Sequence, residues 1–248
     1  MATATSLSPE RGFITAGRAL ALLFFTLLLS AQPLDRVVET GPGQWRTKKL
    51  NDGSVVRIGP RTRLEIEFDD GNRLVHLQTG EAIFSVAKDV TRPFIVDTDV
   101  LAARAVGTKF SVTRLEHRSE VVVAHGLVAV STLGGTSDDR EPQAVHASGG
   151  LQITVDKKSQ LESRQVDIDD ALAWGDGYVV FQRVPIADAI AQFNRRNRIQ
   201  IQMPSHPQAA SYRITGRFRI ADPLRFARYL DECIRARQRG ARRKGIED

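Results

Sequence analysis

Short runs of alternating apolar and polar residues fill the chain from Trp45 to residue 155. In one of them, Leu64, Ile66 and Phe68 alternate with charged residues. Because successive side chains of a strand point to opposite faces, this pattern predicts a strand with one buried and one solvated face. Gly, Pro, Asp or Asn closes the runs about every 8–12 residues, a spacing typical of an all-β domain.

The same alternation continues in the later runs, where Arg73 falls on the same face as Val75. The Asp52-Gly53 pair is typical of a hairpin turn, because both residues tolerate a positive φ. We therefore predict a mainly β domain of many short strands over 45–155, either solenoid-like or a sandwich. The apolar positions expected inside it are Val75 and Leu77, Ala82, Phe84 and Val86, Phe94 and Val96, Phe110 and Val112, and Val121 and Val123.

The pattern changes after residue 177, where apolar residues recur at i, i+3, i+4 and i+7, as on an amphipathic helix. Two helices are predicted, over 187–197 and after Asp222-Pro223, with strands near 178–181, 199–201 and 212–218. The sequence therefore predicts a small α+β module of order βαββα over 178–237, followed by a basic tail at 238–248. The helical stripes are Ile186, Ala189, Ile190 and Phe193, and then Leu224, Ala227, Leu230 and Ile234.

Residues 1–31 contain an apolar run from Ala19 to Leu29, preceded by Arg11 and Arg18. A transmembrane helix needs about 20 apolar residues and a signal-peptide core roughly 7–15. A cleaved signal peptide and an uncleaved membrane anchor therefore both remain open. Both would export the rest of the chain, because the cations lie on the N-terminal side of the run.

Two stretches are predicted to be linkers. Residues 32–44 are rich in Pro and Gly, and residues 156–177 are polar and end in a group of aspartates. In a chain of 248 residues they would separate the N-terminal segment, the β-domain and the C-terminal module.

The composition is globular, with 42% hydrophobic and 26% charged residues. The formal net charge is +6. The single cysteine, Cys233, excludes an internal disulfide, and no Cys and His residues have zinc-ligand spacing. The C-terminal cations are expected either to be solvated or to contact an anionic partner. They are Arg235, Arg237, Arg239, Arg242, Arg243 and Lys244.

No catalytic arrangement is recognisable. Gly107-Thr108-Lys109 lacks the first glycine of a phosphate-binding loop and precedes a strand instead of a helix. Glu81 has no identifiable second carboxylate and is expected to be solvated at a strand start. None of the histidines pairs with another at a ligand spacing, so we predict no enzyme activity, no metal and no cofactor. They are His76, His117, His125, His146 and His206.

In order and spacing, the β-rich blocks resemble the periplasmic domain of the FecR family, membrane sensors that regulate extracytoplasmic-function sigma factors. The βαββα segment resembles the small signalling module shared by secretins and TonB-dependent transducers. The resemblance covers residues 45–155 and assigns a structural role to its motif residues. These are Asp52, Gly53, Gly80, Glu81, Phe84, Pro93, Phe94, Gly107, Thr108 and Phe110.

The resemblance implies an envelope regulator that relays receptor occupancy, in iron or siderophore uptake, to a sigma factor. It implies a single-pass inner-membrane protein with its bulk in the periplasm, or a periplasmic protein after signal cleavage. The implied partners are the signalling domain of a TonB-dependent outer-membrane receptor and a sigma factor, and not nucleic acid.

Full-length members of the family carry a cytoplasmic N-terminal region that binds the sigma factor. Only the short segment before Ala19 precedes the apolar run here, so that region is expected to be truncated. The sigma factor would then be reached directly or through another protein. The alternative is an exported β-rich binding or scaffolding protein of the envelope without a sigma-factor role.

The strand predicted near 212–218 is the expected receptor-binding element. If it lies at a sheet edge, its unpaired main-chain groups could pair with a partner strand, and its arginines would attract an acidic partner. If it is internal, the arginines would only solubilise one face. The residues concerned are Tyr212, Arg213, Arg217, Phe218 and Arg219.

Overall fold

The computed structural model describes residues 36–133, 144–205, 209 and 212–244, the last of these by backbone alone from 237 onward. The expected signal peptide or anchor at 1–31 therefore lies outside the described residues, as does the end of the basic tail. Among the described residues, no helix is both long enough and apolar enough to cross a membrane. Residues 37–248 form one compact unit.

The first part of this unit, here called the β-domain, consists of strands and their connections wherever it is described. They are β1 (Val37–Glu39), β2 (Arg46–Lys49), β3 (Val55–Ile58), β4 (Arg63–Phe68), β5 (Arg73–Ser85), β6 (Phe94–Asp97), β7 (Leu101–Ala105), β8 (Lys109–Arg114), β9 (Arg118–His125), β10 (Leu127–Thr132), β11 (Val145–Ser148), β12 (Leu151–Asp156) and β13 (Leu161–Gln165).

The second part, here called the C-terminal module, mixes helices with a two-stranded sheet. Its elements are α1 (Ile168–Leu172), a 3₁₀ turn (Ala173–Asp176), β14 (Tyr178–Pro185), α2 (Ile186–Arg196), β15 (Arg213–Arg219) and α3 (Pro223–Lys244).

The long strand β5 connects the two halves of the β-domain. Its first half pairs with β4 and, in parallel, with β6, and its second half pairs with β3 and β8. The resulting strand order is β11-β10-β7-β6-β5-β8-β9-β12-β13. On the other side of β5, β1 pairs with β4 and β2 pairs with β3. One strand thus belongs to both halves of a curled sheet.

Gly80 lies where β5 changes partners. Thr79 pairs with Arg63 of β4, whereas Gly80 pairs with Arg114 of β8. Gly80 has a φ of 88°, and a Cβ at this position would overlap Thr62. Only glycine combines this backbone conformation with so close an approach, which explains the glycine in the motif.

The core of the β-domain confirms the mainly β expectation and the predicted faces of the strands. Phe84 stacks on Phe110 with ring centroids 5.3 Å apart and contacts Phe94 at 5.8 Å. These rings come from both halves of the sheet, so the halves share one core. Every apolar position predicted to be inside is buried, except Ile66, Phe68 and Val86, which are half-buried against the same core.

Residues 32–44 are not a linker where they are described. Val37–Glu39 form β1, and Val38 is buried in the core. The hydroxyl of Thr40 donates to the Gly59 carbonyl at 2.7 Å and accepts from the Thr62 amide at 3.0 Å. The β-domain therefore begins before Trp45, because a single short strand and one threonine tie this segment to β4.

Residues 156–177 also differ from the linker predicted there, since they contain β13, α1 and the 3₁₀ turn. Asp156 accepts from the amides of Lys158 and Gln160, which closes the β12–β13 hairpin. Asp167 caps α1 by accepting from the Asp170 amide. The acidic residues that suggested a linker are thus turn and cap residues.

The core of the C-terminal module is aromatic. Phe193 of α2 stacks on Phe226 of α3 with centroids 4.1 Å apart, and Phe181 of β14 lies 5.9 Å from Phe226. Ile83, Val122 and Ala124 belong to the same apolar cluster, although they lie on the outer face of the β-domain. The module therefore packs directly on the β-domain.

The predicted strand at 199–201 is absent, so the described module has the order βαβα rather than βαββα. Asn194 of α2 takes the place of a strand partner for Ile201. Its side chain accepts from the Ile201 amide at 2.7 Å and donates to the Ile201 carbonyl at 2.9 Å. Because one side-chain amide satisfies both main-chain groups, this segment needs no ladder.

Candidate functional site

The strand β15 bears the predicted partner-binding residues and pairs, among the described residues, with β14 alone. Arg213, Arg217 and Arg219 are exposed, while Ile214 is buried. Because residues two apart share a face, the arginines form one basic face of the sheet. Tyr212 instead is half-buried and packs against the module core.

The main-chain geometry indicates which donors of β15 point away from β14. The amide of Ile220 donates to the Gly177 carbonyl at 2.9 Å across the sheet. Because donors alternate between the two sides of a strand, the amide of Phe218 points the same way, and those of Arg217 and Arg219 point to the opposite edge.

Tyr178 of β14 organises the basic face. The guanidinium carbon of Arg217 lies 4.3 Å from its ring centroid, and the Nε of Arg219 donates to its hydroxyl at 3.3 Å. The hydrogen bond from Arg219 lowers the pKa of Tyr178. Together with Phe218 and Tyr229, these residues border a cavity of about 390 Å³. Tyr178 was not expected as a site residue, because its position opposite Arg219 depends on the register of two strands that α2 separates in the chain.

A second polar site lies between the β-domain and the module. Glu81 of β5 and Arg196 of α2 are 2% and 4% exposed. Nε and Nη2 of Arg196 donate to the two carboxylate oxygens of Glu81 at 2.6 and 2.7 Å. The guanidinium also lies 5.9 Å from the Trp174 ring. The expectation that Glu81 is solvated is therefore wrong, because the module covers this face of β5.

The sequence contains a signal for one member of this pair. Position 196 continues the apolar stripe of α2, three residues after Phe193, and a charge at such an inward position indicates a buried partner. Glu81 and Ile83 instead lie on the strand face opposite Ala82 and Phe84, so the burial of Glu81 follows only from the contact with the module. Arg195, the neighbour of Arg196, has its Nη2 3.9 Å from Glu81.

Asp52 and Gly53 form the turn before β3. The carboxylate of Asp52 binds the buried Arg73, which the sequence did not mark as a site residue. Arg73 is 1% exposed, and its Nη1 donates to Asp52 at 2.8 Å. It also donates to the carbonyls of Ala87, Asp89 and Arg92. Burial raises the pKa of Asp52, but the hydrogen bonds from Ser54 and Arg73 outweigh burial and lower it.

The remaining motif residues lie within the β-domain. Phe84, Phe94 and Phe110 fill the core, and Pro93 is half-buried immediately before β6. Gly107 has a φ of 150°, and Thr108 next to it is buried. None of these residues is among those that line the cavity beside Tyr178.

The described residues include no group of three or more His, Cys, Asp or Glu that could hold a metal ion. His76 is the histidine with the closest acidic neighbour, and its Nδ1 lies 2.6 Å from Asp97. Burial raises the pKa of Asp97. The pair stands on neighbouring strands β5 and β6 and serves as a cross-strand contact.

Residues 36–129 match the family described as FecR protein. No curated protein sequence matches the chain. Two crystal structures of a candidate anti-sigma factor from Parabacteroides distasonis have the same fold. The first has a TM-score of 0.62 and 26% identity, covering 74% of this chain and 84% of the other. The second has a TM-score of 0.63 and 25% identity, covering 82% and 90%. The chain therefore contains a FecR domain at residues 36–129.

Proposed function

We propose that this protein is a FecR-type regulator that relays receptor occupancy at the cell envelope to a sigma factor. The FecR domain and its similarity to anti-sigma factor structures support a sigma-regulating signal transducer. We further propose that the stimulus is receptor-mediated uptake of iron or a siderophore. The receptor is a TonB-dependent outer-membrane protein, and its signalling domain docks on the C-terminal module.

The docking proposal rests on the basic edge of β15. It combines outward main-chain donors at Arg217 and Arg219 with an aromatic ring, Tyr178, beneath the arginines. A partner strand can add to such an edge through main-chain hydrogen bonds. Acidic side chains on that strand would meet the arginines, which also discourage pairing between two copies of this basic edge.

The path from this edge to the β-domain would run through packed side chains. β15 packs on the aromatic core of the module, and that core includes Ile83 and Val122 of the β-domain. The Glu81–Arg196 pair adds a polar connection between the same two parts. Docking at β15 would therefore act on a module that is already seated on the FecR domain.

Arg217→Pro should weaken binding of the receptor's signalling domain by about three- to tenfold, the equivalent of one lost main-chain hydrogen bond. Proline removes the donor that faces the outer edge and leaves the ladder to β14 intact, which is why proline is tolerated at such edge positions. Titration of the compact fragment 37–248 with the signalling domains of candidate receptors measures the effect.

Two control variants separate the main-chain contact from the charge. Arg217→Ala keeps the donor and loses only the guanidinium, and Arg104→Ala removes an exposed arginine of β7. The latter should bind like the parent fragment. Equal affinities for Arg217→Pro and the parent, or no binding by the parent, would contradict docking at this edge. Sigma-dependent transcription that is unaffected by deleting the protein would instead favour the exported scaffold.

The proposed topology puts the bulk of the chain in the periplasm, behind a single inner-membrane anchor or after removal of a signal peptide. Alkaline phosphatase fused after Asp248 should be active, because the enzyme matures only outside the cytoplasm. β-Galactosidase fused at the same position should be inactive. The reverse pattern of activities would exclude export.

A further inference from the structure

A cleft of about 700 Å³ lies between the β-domain and the C-terminal module. Strands β8, β9, β12 and β13 form one wall, and α1, β14 and α2 form most of the other. Both walls contribute charged groups, among them Arg118, Glu120 and Arg164 from the β-domain and Arg195 from α2. This cleft also includes Arg213 of β15, and it shares Tyr178 with the cavity of about 390 Å³ described above.

The charges around Arg195 do not balance. Arg196 already occupies both carboxylate oxygens of Glu81. Arg118 donates to Glu120 at 2.9 Å. Arg195 approaches Glu81 only to 3.9 Å, too far for a hydrogen bond. Among these three arginines, Arg195 is therefore the one without a hydrogen-bonded carboxylate.

The side chain of Arg195 is also poorly satisfied. It is 30% exposed, and its Nε is buried without a hydrogen-bond acceptor among the described residues. Burial lowers the pKa of Arg195, and the charge of Glu81 raises it in part. A buried donor without an acceptor is costly, and a charged one more so. The exposed part of the side chain lines the cleft, where an oxyanion could accept hydrogen bonds from the guanidinium and offset its charge.

The other polar groups of the cleft are better matched. Arg164 donates to Gln152 at 2.9 Å and lies on the wall formed by the β-domain. Asp170 accepts from Gln182 at 3.2 Å. The carboxylates of Asp167 and Asp188 also line the cleft, so the anion site is confined to the surroundings of Arg195 and does not extend over the whole cavity.

We propose that Arg195 binds the carboxylate or phosphate group of a small anionic ligand in this cleft. A guanidinium presents paired donors that match both groups in a bidentate arrangement. The cleft has room for a small organic molecule around the anion. Trp174 and Val122, which also line it, would contact the apolar part of such a ligand.

Calorimetric titration of the full-length chain with inorganic phosphate and, separately, with succinate tests the site. Ionic strength is held constant with chloride, so that general screening is the same in every titration. At least one of the two anions should bind saturably to the parent. The anion that binds shows whether a phosphate or a carboxylate is preferred.

Arg195→Gln should weaken the binding about tenfold or more, as expected for the loss of a charged hydrogen bond. Arg195→Lys keeps the charge without the paired donors and should weaken it less. Arg104→Gln, on β7 and outside the cleft, should bind like the parent. Circular dichroism confirms that each variant is folded. Equal weakening in the Arg195 and Arg104 variants, or no saturable binding of either anion by the parent, would overturn the proposal.

Discussion

Glu81→Gln will lower the free energy of unfolding by about 3–5 kcal/mol, because it leaves Arg196 charged and buried without a carboxylate. The two partners are 2% and 4% exposed and form a bidentate contact, so water cannot replace the lost interaction. Arg195 lies close by and adds like-charge repulsion once the carboxylate is gone. Urea denaturation of fragment 37–248 measures the change.

Arg196→Ala should cost less, near the lower end of the same range of about 3–5 kcal/mol. Arg195 can still move toward Glu81 and compensate part of its charge. The double variant Glu81→Met with Arg196→Met should be much milder than either single change, because it removes both buried charges at once. Such a pattern gives a large coupling energy in the double-mutant cycle.

Arg228→Ala is the matched control, since Arg228 is an exposed arginine of α3. Its cost should stay within about 0.5 kcal/mol. If Glu81→Gln were as mild as this control, the ion pair would not contribute to the junction between the β-domain and the module. If the urea denaturation curve has one transition for the parent and two for Glu81→Gln, the pair also holds the two parts in one folding unit.

The sequence predicted the parts of the fold that depend on local periodicity. Phe84, Phe94 and Phe110 were expected inside from alternation alone, and each is fully buried. The helix predicted over 187–197 begins and ends within one residue of α2. The apolar stripe predicted for this helix is buried, because amphipathic periodicity identifies the inward face without knowledge of any partner. In the second predicted stripe, however, Leu224 is 57% exposed.

Residues that satisfy one another across long separations were not predicted. Glu81 and Arg196 are 115 positions apart, and the sequence does not show which carboxylate meets Arg196. Arg73 was assigned to the correct face of β5, but its role in binding the turn at Asp52 depends on where β3 and β6 lie. Such pairings depend on the topology of the strands, which the hydrophobic periodicity of the sequence does not reveal.

The two expected linkers were wrong for a related reason. The acidic residues of 156–177 suggested solvent exposure, yet Asp156 and Asp167 accept main-chain hydrogen bonds that shape a hairpin and a helix. At 199–201, a hydrogen bond from the Ile201 amide to the side chain of Asn194 takes the place of the expected strand pairing. Polar residues that bond to the backbone look the same in sequence as polar residues that bond to water.

Phe110→Ala should cost about 3–5 kcal/mol, because it deletes a fully buried ring and leaves a cavity that the surrounding strands fill only in part. The ring stacks on Phe84 at 5.3 Å, so the change also removes an aromatic contact. Phe110 lies on β8 at the centre of the sheet, where both neighbouring strands limit relaxation. The midpoint of urea denaturation should fall accordingly.

Glu65→Ala tests the other face of the β-domain. Glu65 lies on β4 beside buried Leu64, with its side chain outside the core, and its loss should cost under about 0.5 kcal/mol. Equal denaturation midpoints for the Phe110 and Glu65 variants would mean that the assigned strand faces are wrong. A large loss confined to Phe110→Ala would instead place the main stability of the FecR domain in the core shared by both halves of the curled sheet.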